Sequence, residues 1–270
     1  MSDELKLEEM ERYQRQLSID GFDEKVQKRL KDSAALVAGI GGLGGTAALY
    51  LAAAGIGRLA LIHEGRLETP DLNRQTLMTS DWVGRSRVMK AKETINKFNP
   101  NIEIDAFDEP IKPERLETII SDIDIVLDCR HNFPERRLVN TACTGAGITM
   151  IEAAMNGMEG YLFNIIPGKT ACLSCLYPED PVWDPYGFPV LGAVSGTLGC
   201  LAAMEAIKIL TGLGEPLINA LLHFDLGRMG FKRFKTYRRE DCKICGRPSL
   251  HDTRVSAKTQ ANVSAESICR

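Results

Sequence analysis

The chain of 270 residues is 44% hydrophobic and 26% charged, with a formal net charge of −3, an ordinary composition for a globular chain with one large core. The absence of a long basic run removes the electrostatic basis for non-specific nucleic-acid binding. No apolar run is read as approaching the roughly 20 residues of a membrane span, and the acidic start MSDELKLEEMERYQRQ is unlike a signal peptide. The expected setting is cytoplasmic, so the eight cysteines read as metal ligands, core residues or nucleophiles rather than disulfides.

Residues 4–32 carry helical signals, with a second helix around 23–31. AALVAGI is a short apolar strand that ends in glycines. TAALYLAAAGIG is Ala/Leu-rich and helical, stopped by Gly55 and Gly57. RLALIHE is the next strand, 83–98 a helix ended near Asn99-Pro100, IEIDAF a strand, 113–121 a helix and DIDIVLDC a strand. ERRLVNTACTGAG is a helix with a glycine stop, followed by the strand ITMIEAA. This alternation predicts an α/β fold with a parallel sheet and right-handed crossovers. GMEGYLFNIIP reads as a hairpin-like pair, followed by a cysteine-bearing loop and a Pro/Gly-rich crossover at 177–192. GTLGCLAAMEAIKILTGLG is a strong helix, and NALLHFDLGRMGFKRFKTYRR reads as two final strands. One globular unit over 1–246 is expected, with a polar, disordered tail over 247–270.

Gly39, Gly41, Gly42 and Gly44 lie between a strand and a helix. Glycines there let a phosphate approach backbone N–H groups at a helix N-terminus, or serve only close helix–strand packing. The spacing is G-x-G-G-x-G, not the plain dinucleotide fingerprint. Further on, CLSC supplies Cys172 and Cys175, and CKIC supplies Cys242 and Cys245. Two CxxC pairs give the four thiolates of a closed tetrahedral Zn²⁺ site, structural because no coordination position is left open.

Together RYQRQ (12–16), GIGGLGG (39–45), DLNRQ (71–75), NP (99–100), DIVLDC (124–129), CLSC, AMEAIKIL (203–210) and CKIC resemble the ThiF/MoeB/HesA family, relatives of the ubiquitin-activating enzymes. The likeness runs from about residue 11 to 246. It implies a Rossmann-like, mostly parallel sheet with flanking helices and an antiparallel C-terminal extension. It also implies a homodimer that uses ATP and Mg²⁺ to adenylate the C-terminal glycine of a small ubiquitin-like or sulfur-carrier protein. Arg74 matches the family's phosphate-contacting arginine, and Arg15 the arginine that reaches into the neighbouring subunit's site.

The chain departs from the family at four places. The acid that bonds the ribose hydroxyls and the acid two residues later fall on His63 and Gly65, with Glu64 between. The catalytic lysine falls on Arg87, with Lys90 one turn on. The acid that binds Mg²⁺ falls on His131 of DCRHN, and Asp71 replaces an asparagine. Neutral histidine suits hard Mg²⁺ poorly. Asp71 and Asp128 are the candidates to compensate, Asp128 reading rather as a buried strand end. The crossover lacks the cysteine many relatives carry. Cys200 reads as a core residue, and Cys129 and Cys143 await their exposure. Three readings stay open: an active adenylating enzyme using Arg15, Arg74 and Arg87; a catalytically degenerate relative acting as a partner-binding scaffold; and a dinucleotide-dependent oxidoreductase with Glu64 on the ribose.

Overall fold

The computed structural model describes residues 5–181 and 188–246. The tail expected from 247, and part of the 177–192 crossover, lie outside them. One eight-stranded sheet has the order β3-β2-β1-β4-β5-β6-β7-β8. Its strands are β1 (Ala34–Ala38), β2 (Arg58–Ile62), β3 (Glu103–Phe107), β4 (Ile125–Asp128), β5 (Thr149–Asn156), β6 (Glu159–Ile165), β7 (Ala220–Asp225) and β8 (Gly230–Lys235). The first five run parallel and the last three antiparallel.

Helices are α1 (Leu7–Leu17), α2 (Glu24–Lys31), α3 (Gly42–Ala54), α4 (Arg87–Phe98), α5 (Pro113–Ile120), α6 (Phe133–Ala146), the single turn α7 (Leu173–Leu176) and α8 (Gly192–Thr211). Strand β1 is buried at every position, as expected when helices cover both faces of a parallel sheet. Its alternate side chains feed two cores. Ala35 and Val37 pack with Ala47, Leu51, Leu198 and Ala202 of α3 and α8. Leu36 and Ala38 pack with Leu116, Ile119 and Val139 of α5 and α6.

Some boundaries differ from the sequence reading. Helix α3 begins at Gly42, so the glycine run is the helix's own first turn. Helix α4 begins only at Arg87, where the Ser86 hydroxyl accepts from Met89 N–H, and α8 starts at Gly192 rather than 196. The hairpin is β5 with β6, turned at residues 157–158, because β5 runs on to Asn156. Helix α8 was not anticipated as membrane-like, yet among the described residues it is long and apolar enough to cross a bilayer. Here it packs on α3 and the sheet and buries Glu205. From β1 the chain turns outward to β2, while β4 lies on β1's other side. This topological switch point is where open α/β sheets form ligand crevices.

Candidate active site

A cavity of about 420 Å³ opens at the carboxyl ends of β1 and β4. Three of the four glycines serve packing there. Gly39 has φ +104°, and a Cβ on it would lie 2.7 Å from the Cys129 carbonyl oxygen. A Cβ on Gly44 would strike the Gly39 carbonyl, and one on Gly42 would lie 2.7 Å from Ser195 Oγ. Gly41 and Gly42 both line the cavity, but Gly41 differs in that a Cβ there would meet nothing within 4 Å. Gly41 is also the N-cap of α3, whose first-turn amides have no intrahelical acceptors and carry the positive end of the helix dipole. This arrangement suits an anion. The Ile40 amide is already committed, 3.1 Å from His63 Nδ1.

Arginines ring the opposite wall. A 3₁₀ turn, Thr69–Asn73, presents Asp71 and then Arg74. Asp71 Oδ1 accepts from Arg74 Nη2 at 3.0 Å, and Oδ2 accepts from the Glu68 amide at 3.1 Å and lies 3.6 Å from Arg87 Nη1. Arg87 Nη2 also donates to the Glu64 carbonyl at 3.4 Å. Glu64's side chain is exposed and does not line the cavity, so the structure does not bring it to a ribose.

His63 is buried at the tip of β2. Its Nδ1 accepts from Ile40 N–H and faces Arg130 Nη1 at 3.1 Å, which puts the ring proton on Nε2, an atom without a partner among the described residues. Burial, then the charges of Arg87 and Arg130, hold its pKa well below 6.5, so the ring is neutral. His131 lines the cavity, and burial followed by Arg130 lowers its pKa too.

Arg130 and Arg136, which the sequence reading did not single out, also line the cavity. Arg130 Nε donates to Glu135 at 2.6 Å. Arg136 pairs with Glu152 beneath the floor, and burial pushes the Glu152 carboxyl upward despite that partner. Asp128, register partner of Glu152, is fully buried and accepts the Arg130 amide at 3.0 Å. The sequence signal for Arg130 was its place in DCRHN, beside the altered His131. Arg136 sits in the first turn of α6 with no motif.

Other residues lie elsewhere. Arg15 is exposed on α1; its neighbour Gln16 bonds the Ala54 carbonyl, at the far end of α3 from the glycine turn. A helix of 13 residues separates the two ends by about 20 Å, so Arg15 does not serve its own cavity. Lys90 is held by Glu93 at 3.4 Å and lies 4.8 Å from the Trp82 ring centroid, outside the cavity lining. Burial raises the thiol pKa of Cys129, Cys143 and Cys200, which disfavours the nucleophilic thiolate in each.

The four remaining described cysteines converge. The Sγ atoms of Cys172, Cys175, Cys242 and Cys245 lie within 4.8 Å of one another, with Cys175–Cys245 at 3.3 Å and Cys172–Cys242 at 3.7 Å. Tetrahedral Zn–S bonds of about 2.3 Å give S···S edges of roughly 3.8 Å, so the donor set fits Zn²⁺. All four are buried, and the Arg239 amide points at Cys175 Sγ at 3.4 Å. A metal held here would tie α7 to the end of the described chain and supply no open position for chemistry.

Comparison with known proteins agrees with this geometry. The profile of the ThiF family matches residues 13–244. Protein HesA of Leptolyngbya boryana is 52% identical over 255 residues, 94% of this chain and 92% of that one. The molybdopterin-synthase adenylyltransferase of Escherichia coli is 36% identical over 247 residues, 90% of this chain and 99% of its own. A crystal structure of E. coli MccB with ATP superposes with a TM-score of 0.73 at 25% identity, covering 82% of this chain and 68% of that one.

Proposed function

The chain belongs to the ThiF family, and we propose that it is an ATP-dependent adenylyltransferase. Its substrate would be a carboxylate, the C-terminal glycine of a small ubiquitin-like or sulfur-carrier protein. The carboxylate oxygen attacks the α-phosphorus, the bond to the β-phosphate oxygen breaks, and pyrophosphate leaves with that electron pair. The product is an acyl-adenylate. Adenylyltransferase activity in the E. coli relative and ATP in the MccB structure support this class.

The observation that carries it is Gly41, open at the amino end of α3 and faced by Arg74, Arg87 and Arg130. Charge grows on the non-bridging oxygens as the α-phosphorus is attacked. Backbone N–H groups and guanidinium forks set beforehand are the donors such a centre needs. Gly41 and the first-turn amides would hold phosphate oxygens, with Arg74 and Arg87 beside them. His63 Nε2–H would bond a ribose hydroxyl in place of the usual acid. Arg15, too distant from its own cavity, would act in the partner site of a homodimer. The catalytic unit would be residues 1–246 in the cytoplasm, where thiols stay reduced for Zn²⁺.

ATP–pyrophosphate exchange tests this reading. Exchange is expected with a cognate acceptor. Its absence with every ubiquitin-like partner encoded nearby, despite bound ATP, would favour the scaffold alternative. One feature favours that alternative: the Arg87 guanidinium is already seated against Gly65 and Asp71 at the cavity wall.

A further inference from the structure

The family resemblance implies Mg²⁺, and the residues here do not fit it. Magnesium needs hard oxygen donors, typically one or two carboxylates besides the phosphates. Asp71 already accepts from Arg74 and the Glu68 amide and faces Arg87. Glu68 is exposed at the rim, and it is its backbone that joins the 3₁₀ turn, its amide donating to Asp71 Oδ2 at 3.1 Å. Asp128 does not line the cavity, and Glu135 is bound by both Arg130 and Asn132. At the position of the metal-binding acid, His131 offers nitrogen. A cation placed here would have to displace a guanidinium from Asp71 or Glu135; the exceptions are Glu68 at the rim and Asp128, which is fully buried and does not line the cavity.

What stands there instead is positive. The lining residues include four arginines, Arg74, Arg87, Arg130 and Arg136, and two acids, Glu68 and Asp71; behind the lining, Glu135 pairs with Arg130 and Glu152 with Arg136. Arg130 is only 6% exposed. Its Nε and Nη2 lie 2.6 and 2.5 Å from one oxygen of Glu135, and Nη1 3.1 Å from His63 Nδ1. A guanidinium carries five N–H donors, so these contacts fix the fork and leave two donors for another acceptor. Arg87 Nε, also buried, has no partner among the described residues.

We propose that this cavity binds nucleotide triphosphate without a divalent cation, its charge met by the guanidinium groups of Arg130, Arg87 and Arg74. The proposal rests on the nucleotide reading above but not on turnover. Arg130 is then a phosphate-binding residue that replaces the metal's charge, and its fork matches two phosphate oxygens as a point charge does not.

The test is ATP binding by the full-length chain, measured by calorimetry in EDTA and in excess Mg²⁺. The two affinities are expected to agree within about threefold. Arg130→Gln is expected to weaken binding about ten- to a hundredfold in both, the worth of a charge-assisted contact. Should that variant fail to fold, Arg130→Lys replaces it, keeping the charge without the fork, with a loss of several-fold expected. Binding at least tenfold tighter with Mg²⁺ overturns the inference and leaves the adenylation reading standing. ATP affinity unchanged in Arg130→Lys or Arg130→Gln overturns Arg130's part. No ATP binding in either condition overturns both readings. Tight binding in EDTA with no exchange for any acceptor upholds this inference and sinks the other.

Discussion

A Cβ on Gly65 would lie 2.4 Å from Arg87 Nη2. On the resemblance read from the sequence, these two residues would stand in for an acid and a lysine, and their contact would make the two departures one structural change. Arg87 reaches back over β2's exit only because residue 65 has no side chain, and Gly65 has φ +122°, a region L-residues avoid. Restoring the acid alone, Gly65→Asp, is expected to destabilise the fold by about 2–4 kcal/mol through strain and overlap. Combined with Arg87→Lys, the cost should fall by about 1 kcal/mol or more, as contacting residues couple. Urea unfolding of the two single variants and the double variant measures it; additive losses would mean the residues are independent.

The pair also marks how far the sequence could be read. Period and glycine placement reveal β1, α3, β2, β4 and α8, because buried parallel strands and their crossover helices leave strong local signals. The CxxC pairs name the metal cluster for the same reason: ligand spacing is local. What stayed hidden depends on contacts distant in sequence. Nothing near Arg87 announces that it needs Gly65. The Arg136–Glu152 pair joins α6 to β5 beneath the cavity, and the His63–Arg130 contact spans two strand tips. Glu64 was legible as an acid near the ribose position, but the backbone turn sends it to solvent.

His63 makes stability depend on pH. Its folded pKa lies well below 6.5 because of burial first and neighbouring cations second. Below pH 6.5 the unfolded chain therefore binds a proton that the folded chain refuses. Stability rises with pH wherever the unfolded state holds more protons, so it is lost as pH falls from about 6.5 toward the folded pKa. Each such histidine contributes about 1.4 kcal/mol per pH unit across that window. His131, lowered in the same sense, adds a second contribution. His63→Gln keeps an acceptor for the Ile40 amide. Unfolding free energies between pH 5 and 6.5 should show a slope shallower by about one histidine's share. An unchanged slope would place the titrating group elsewhere.

The cysteine cluster joins α7 to residues 242–245, segments 70 positions apart along the chain. Purified chain is expected to contain one Zn²⁺ per protomer by atomic emission. Cys175→Ser should release it, since three thiolates and a hydroxyl bind far more weakly. Loss of metal from four buried thiols should lower the melting temperature by about 5–7 °C, roughly 3–4 kcal/mol for a chain of this size. ATP affinity should change far less, because the cluster contributes nothing to the cavity lining. A fall in affinity as large as the fall in stability would argue against a purely structural metal.

Gly41 and Gly42 adjoin in sequence but do different work, and alanine separates them. At Gly42 a Cβ would lie 2.7 Å from Ser195 Oγ and 3.0 Å from Arg74 Cγ, so α8 or the arginine must shift. Gly42→Ala is expected to cost about 1–3 kcal/mol in stability, net of any gain in helix propensity. At Gly41 a Cβ has open space in the cavity, so Gly41→Ala should cost no more than about 0.5–1 kcal/mol as an N-cap change. That methyl group would nevertheless stand where a phosphate must approach the first-turn amides, and ATP affinity should fall about tenfold, near 1.4 kcal/mol. Calorimetric titration beside thermal unfolding reads both quantities. If Gly41→Ala binds ATP like the wild-type chain, the glycine turn serves packing alone.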